Sequence, residues 1–186
     1  MGKNDVVVVS AVRTPFGKFG GTLKDIPSID LGAMVIREVL KRVKVKGEEV
    51  EETYYGSAIP AEVALETDVP ARQATLRAGM PSEAVSITVD RACCSSLAAV
   101  RLGYRTIRSG EIEVALGVGA ENMSRTPLIL PPYVRWGRDW VILNCGMACL
   151  DWAIKGSTLF QSMPERSLLN TASPEKIRTD GLVKAR

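Results

Sequence analysis

Short β-branched or apolar runs alternate with helix-length amphipathic patterns over most of this chain, and no other feature narrows its fold as much. Val6 to Val9 is a continuous β-branched run, which suits a strand buried on both faces and so a central place in a sheet. A glycine- and proline-rich loop from Arg13 to Gly21 follows. Ser28 then stands where it can cap a helix whose apolar residues Ile29, Ala33, Ile36, Leu40 and Val43 form one buried stripe. Gly47 is placed to end that helix. Thr53 to Ile59 reads as a strand, Pro70 to Ala78 as a short helix closed by Gly79, and Ala84 to Val89 as a strand. Cys93 to Ser109 reads as a helix with Leu97, Val100, Tyr104 and Ile107 on one face, and Val114 to Val118 as a strand after Gly110. This rhythm predicts an α/β fold, a mainly parallel sheet with helices on both faces.

The rhythm stops near residue 139. Trp136, Trp140 and Trp152 fall close together, and no clean alternation follows them. Residues 1–139 are therefore read as one folded unit and 140–186 as a short unassigned C-terminal segment, whose polar end from Pro164 to Arg186 fits a surface segment or an arm held by another chain. Trp140 to Ile154 is apolar but shorter than the roughly 20 residues a membrane span needs, and it carries Asn144 and Asp151. It reads as core or interface, with no membrane partner.

The charge balance, 24 Lys and Arg against 21 Asp and Glu, is too even to suggest nucleic-acid binding. The basic run Lys41 to Lys46 lies at a helix end and is followed at once by Glu48, Glu49, Glu51 and Glu52, so it reads as a solvated terminus. The opening apolar run is too short for a signal peptide, and a cytoplasmic, thiol-reduced setting is the expected one.

The sequence contains no histidine. Histidine is the commonest general base near neutral pH and a frequent metal ligand, so neither a catalytic triad nor a His-ligated metal site is expected from this chain alone. The four cysteines are Cys93, Cys94, Cys145 and Cys149, and neither pair has the C-x2-C spacing of structural zinc, so no metal is expected. Gly17, Gly20 and Gly21 do not form a phosphate-binding loop, and Gly117-Val118-Gly119 lacks the third glycine of a dinucleotide fingerprint. Cys93 follows a predicted strand by four residues and opens the next helix, at the carboxyl edge where open α/β sheets place their sites. Free N–H groups and the partial positive charge at a helix N-terminus suit an anionic sulfur and an oxyanion on a bound thioester. Cys93 also stands one turn before Leu97 on the apolar stripe, so spacing alone leaves a buried structural cysteine equally open.

Several segments resemble the thiolase family over roughly residues 5 to 139. Ser10-Ala11-Val12-Arg13-Thr14-Pro15-Phe16-Gly17-Lys18-Phe19-Gly20-Gly21 is similar to the thiolase opening, and Asp30-Leu31-Gly32-Ala33 to the start of its first helix. Pro70-Ala71-Arg72-Gln73-Ala74 and Ala78-Gly79-Met80-Pro81 resemble the approach to the nucleophile strand. Asp90-Arg91-Ala92-Cys93-Cys94-Ser95-Ser96-Leu97 resembles the family's N-x-x-C-G-S-G-L, and Glu121-Asn122-Met123-Ser124-Arg125-Thr126-Pro127 resembles its pocket loop. The Arg13-Thr14-Pro15 and Glu121 to Ser124 segments favour thiolase over ketoacyl synthases and hydroxymethylglutaryl-CoA synthases, which share the nucleophilic cysteine. The departures are Asp90 for Asn, Cys94 and Ser96 for glycines, and Val118 for one of a glycine pair, and each side chain added in place of a glycine is expected to tighten a place where glycine allows close approach.

The resemblance implies a layered thiolase-like N-terminal half carrying the catalytic nucleophile, Cys93, with Met123 and Ser124 lining the substrate pocket. It implies acyl transfer between acyl-CoA and CoA or acetyl-CoA through an acyl-cysteine, with CoA thioesters as substrates and no separate cofactor. A thiolase goes on to a loop domain and a second half that supplies a G-H-P histidine and a cysteine in C-x-G-x-G, motifs that are not found here. The expected partner is thus a C-terminal-half subunit of a split thiolase, two such pairs forming a hetero-tetramer through the N-terminal halves, with 140–186 a truncated loop-domain segment or a partner-binding tail. The alternative is a catalytically inactive remnant that binds acyl-CoA or serves as a structural protein.

Overall fold

The computed structural model describes residues 5–130, Pro132, Arg135 and the backbone of Gly146–Met147. Three helices, α1 (Ser28–Val43), α2 (Pro70–Arg77) and α3 (Ser95–Ser109), accompany a sheet of three strands, β1 (Glu52–Gly56), β2 (Val85–Val89) and β3 (Ala115–Gly119). The strand order is β2-β1-β3, and both pairings are parallel. Glu52 stands opposite Val85 and Ala115, and Gly56 opposite Val89 and Gly119. Leu128–Ile129 (β4) and Gly146–Met147 (β5) form a separate antiparallel pair. The parallel α/β prediction thus holds.

Side chains alternate between the faces of a strand, and β1 shows where its helices lie. Tyr55 points to α1, its hydroxyl donating to the Ser28 carbonyl at 3.0 Å and its ring packing so closely on Gly32 that a Cβ there would meet ring carbon Cε2 at 2.7 Å. Tyr54, one residue earlier, points to α3, where its hydroxyl lies 2.7 Å from Thr106 Oγ1. Helices therefore cover both faces. The core gathers Ile29 and Ile36 of α1, Ala71 and Ala74 of α2, Tyr55, Val63, Met80 and Val118. Burial raises the Tyr55 hydroxyl well above the ordinary tyrosine range, so it serves as a neutral donor.

Helix α1 begins and ends differently from expectation. Ser28 is its first residue, and its backbone N–H and hydroxyl both donate to Glu62. The cap is thus a carboxylate from a distant segment at the positive end of the helix. The helix stops at Val43, with Lys44 taking the left-handed conformation (φ 57°) in place of Gly47. Ile29, Ala33 and Ile36 are buried as expected, and the lysines and arginine at the helix end are exposed.

Two expectations fail. Val6 to Val9 is not a strand: no described strand pairs with it, and Val8 is 81% exposed. β-branched side chains favour an extended chain, but only a neighbour's backbone groups make it a strand. Helix α3 also turns the opposite way from the prediction. It buries Ser95, Ala99 and Gly103, and leaves Leu97, Val100 and Tyr104 exposed at 69%, 49% and 43%. The reason lies in the sheet. Gly56, Gly117 and Gly119 form a shallow surface on which the helix seats closely, with Val100 at the border of the contact: a Cβ on Gly117 would meet Val100 Cγ2 at 3.0 Å, and one on Gly103 would meet Ala115 Cβ at 3.1 Å. At Gly56 an added Cβ would fall on the backbone of Ser95 and Ser96. Gly56→Ala must push α3 off the sheet and is expected to cost about 1–3 kcal/mol, read as a lower denaturation midpoint in urea.

Candidate functional site

The chain leaves β2 at Val89 and enters α3 at Ser95 through a tight turn, and the turn is held by its own side chains. Asp90 Oδ1 accepts from the Ala92 amide at 2.8 Å. The buried Ser95 hydroxyl accepts from the Arg91 amide at 2.8 Å and donates to the Ala92 carbonyl at 2.6 Å. Ala92 is forced to a φ of 50°, a left-handed conformation that costs an alanine roughly 1–2 kcal/mol. This strained residue immediately precedes Cys93. Cys93 and Cys94 are both free and exposed, so the buried-core reading of Cys93 fails: the stripe it shares with Leu97 faces outward. Asp90, where the resembling family has asparagine, keeps the one acceptor oxygen that the turn needs.

The other candidate residues leave the end of β3. Gly119 lies against Ser96, and a Cβ on Gly119 would collide with the Ser96 side chain. The larger residue on the helix is thus accommodated by the glycine on the strand. Val118 is buried in the core, on the strand face away from α3, and it does not crowd the turn as the sequence suggested. The Ala120 amide donates to the Gly56 carbonyl at 3.2 Å, carrying the chain across the end of β1. The Glu121 carboxylate accepts from the amides of Ala58 (2.8 Å) and Ile59 (3.2 Å). Withdrawal from water raises its carboxyl above the ordinary value, while those amides pull it back.

Beyond Glu121, the buried Asn122 donates from Nδ2 to the carbonyls of Leu23 (2.9 Å), Lys24 (3.2 Å) and Ile26 (2.8 Å), and its Oδ1 accepts from the Ser124 amide. Ser124 Oγ accepts from the Gly20 amide at 3.0 Å. Arg125 pairs with Glu62 at 2.8 Å and with Glu66 at 2.8 Å. The segment carrying Met123 and Ser124 is thereby tied to the glycine-rich loop near the N-terminus, and Met123 stays 39% exposed. Cys93 and the Met123–Ser124 pair therefore follow the two outer strands of the sheet at its carboxyl edge, on either side of β1. No hydrogen bond among the described residues joins them. Sequence reading missed Ser95, Asn122 and Glu62 as holders of this edge. Asn122 lay within a motif already singled out, whereas nothing in the sequence marked Glu62.

Among the described residues no group of three or more His, Cys, Asp or Glu side chains is placed to hold a metal ion. Cys145 and Cys149 lie outside the described residues, as does the segment from Trp140 to Ile154 apart from the backbone of Gly146–Met147. No described helix is long and apolar enough to cross a membrane.

Residues 6–145 match the N-terminal domain of thiolase. The chain belongs to the thiolase family. It is 44% identical over 127 residues to an acetyl-CoA acetyltransferase of Cupriavidus necator, an alignment covering 68% of this chain and 32% of that one. It is 41% identical over 133 residues to an acetyl-CoA acetyltransferase of Syntrophomonas wolfei (72% and 33%) and 43% identical over 136 residues to the beta-ketothiolase BktB of Cupriavidus necator (72% and 33%). The chain spans about a third of the length of these curated relatives. The thiolase turn around Cys93 depends on the Ser95 hydroxyl, which is buried with both hydrogen bonds inside the turn. Ser95→Ala is expected to destabilise the chain by about 1–3 kcal/mol and to speed proteolysis between residues 90 and 95. Ala92→Gly relaxes the left-handed residue and is expected to leave stability unchanged or raise it by up to about 1 kcal/mol, as chemical denaturation would show.

Proposed function

We propose that this chain carries the nucleophile of a thiolase-type acyl transfer and that a second polypeptide completes the site. The observation that carries the reading is the strained turn that holds an exposed Cys93 at the start of α3, at the carboxyl edge of a parallel sheet. In this mechanism the Cys93 thiolate attacks the carbonyl carbon of an acyl-CoA. The backbone N–H groups at the α3 N-terminus stabilise the oxyanion, CoA leaves as its thiol, and the acyl group remains as a thioester on Cys93. An acetyl-CoA carbanion then takes the acyl group to give a 3-oxoacyl-CoA; in thiolysis, the reverse, CoA is the acceptor. Met123 and Ser124 form one wall of the acyl pocket, and no cofactor beyond the CoA thioesters takes part.

Two facts support a completing partner. The chain contains no histidine to take the thiol proton, and α3 exposes Leu97, Val100 and Tyr104 beside the proposed nucleophile, an apolar surface of the kind that other polypeptides cover. The proposed partner is a thiolase C-terminal-half subunit that brings the histidine and the second cysteine, two such pairs forming a hetero-tetramer in the cytoplasm. Residues 140–186 are proposed to contact that partner or to stand in for part of its loop domain.

The purified chain alone is expected to show no thiolysis of acetoacetyl-CoA, and turnover by the chain on its own would refute the split site. Co-expression with the remaining C-terminal part of the Cupriavidus necator acetyl-CoA acetyltransferase is the reconstitution to try. In an active complex, Cys93→Ala abolishes turnover and Cys94→Gly preserves it. Peptide mapping after brief iodoacetamide treatment of that complex is expected to find Cys93 labelled ahead of Cys94, Cys145 and Cys149. A complex that binds acyl-CoA but never turns over would favour the remnant, with the side chains of Cys94 and Ser96 obstructing the chemistry.

A further inference from the structure

Cys93 and Cys94 are consecutive, and both thiols are free and exposed. Among the described residues they are the only cysteines. They stand in the turn between β2 and α3, ahead of the first helical residue, Ser95. Cys94 has φ −99° and ψ 11°, and its amide donates to the Arg91 carbonyl at 3.1 Å. A single thiol exposed in this way has no shelter from irreversible oxidation. A hydroperoxide converts an exposed thiolate to a sulfenic acid, and further oxidant carries it on to the sulfinic acid, which ordinary thiols do not reverse. A neighbouring thiol stops that progress by condensing with the sulfenic acid to a disulfide. Cys94, which stands where the resembling family has a glycine, is the neighbour that the turn provides.

We propose that Cys94 is a resolving thiol for Cys93, and that a hydroperoxide closes the pair into a vicinal disulfide that external thiols reopen. In the first step the Cys93 thiolate attacks the terminal peroxide oxygen, the O–O bond breaks, and the departing oxygen takes up a proton and leaves as water or an alcohol. In the second the Cys94 sulfur attacks the Cys93 sulfur. The S–S bond forms, the S–O bond breaks, and the hydroxide leaves as water with the Cys94 thiol proton. The peroxide is reduced by two electrons, and each cysteine gives up one. Reopening consumes two external thiols, which become a disulfide. Consecutive Cα atoms are about 3.8 Å apart, nearer than the roughly 4.4 Å at which disulfides usually begin, and closing the ring must twist the peptide against the hydrogen bond from Cys94 to Arg91. Such strain makes a disulfide more reducible, which suits a bond that forms under oxidant and is undone afterwards. The pairing rests on adjacency and exposure alone. Its consequence, a reversible off state for acyl transfer, rests in addition on the reading of Cys93 as the acyl carrier.

Trypsin separates the possible products, because one tryptic peptide, residues 92–101, holds Cys93 and Cys94 and another, 139–155, holds Cys145 and Cys149. The full reduced chain is treated with hydrogen peroxide near neutral pH, then with iodoacetamide, and digested. Residues 92–101 are expected as a linear peptide that lacks its two thiol hydrogens and carries no alkyl group, and dithiothreitol restores alkylation at both sulfurs. In Cys94→Ser, Cys93 is expected to advance to the sulfinic acid, and the share of Cys93 that dithiothreitol returns to alkylatable form falls about tenfold. Recovery in Cys94→Ser as full as in the wild type, a wild-type disulfide joining 92–101 to 139–155, or wild-type Cys93 left untouched or found as sulfinic acid would each overturn the proposal. In a reconstituted complex that turns over, the wild type regains its rate with dithiothreitol after peroxide and Cys94→Ser does not, although the two turn over alike beforehand. A complex without turnover removes the acyl-transfer reading and leaves the peptide result to decide the disulfide, so the two ideas fail separately.

Discussion

The close seating of α3 on the sheet is the constraint from which the rest of this structure follows. Glycines at 56, 117 and 119 let Ser95, Ser96 and Val100 come close to the strands, and Gly103 of the helix makes room for Ala115. Backbones that approach this closely leave little freedom in the connection from β2. The six-residue step from Val89 to Ser95 must then be a tight turn, and the turn is tight enough to drive Ala92 into a left-handed conformation. Such strain persists only where the surroundings over-determine it. Here the surroundings are the Ser95 hydroxyl, the Asp90 carboxylate and the packed helix start.

The same seating explains the surface of the chain. A helix has one small face and one large one here, and the small face is the one that the sheet accepts. Leu97 and Tyr104 are consequently turned outward, and among the described residues no strand pairs with Val6 to Val9.

A second set of contacts holds the far side of the carboxyl edge. Glu62 caps α1 and pairs with Arg125, while Asn122 gathers three carbonyls of the loop between Leu23 and Ile26. These are long-range connections between residues 34 to 99 positions apart. A buried carboxylate that serves both a helix N-terminus and a guanidinium is costly to leave half-paired, which makes the two loops and the helix start a single mechanical unit.

Much of this was legible in the residues. The order of elements from α1 to β3, the parallel connection and the buried start of the α1 stripe follow from local periodicity and from glycines such as Gly79 and Gly110, both at positive φ where their helices end, while Cys93, read as the first residue of α3, stands in the turn two residues before it. Local pattern also made the family resemblance recognisable, because the turn residues around Cys93 and the Asn122 loop are contiguous in sequence. What the sequence could not decide was orientation. Periodicity says that Leu97, Val100 and Tyr104 share a face, but only the glycine surface of β1 and β3 determines that Leu97 and Tyr104 turn outward while Val100 borders the contact. Likewise four consecutive valines specify an extended chain, and only the presence of a neighbouring strand makes it part of a sheet. Hydrophobic pattern is a property of the chain by itself, whereas burial is a relation between surfaces brought together by folding, and that relation exists only in the tertiary structure.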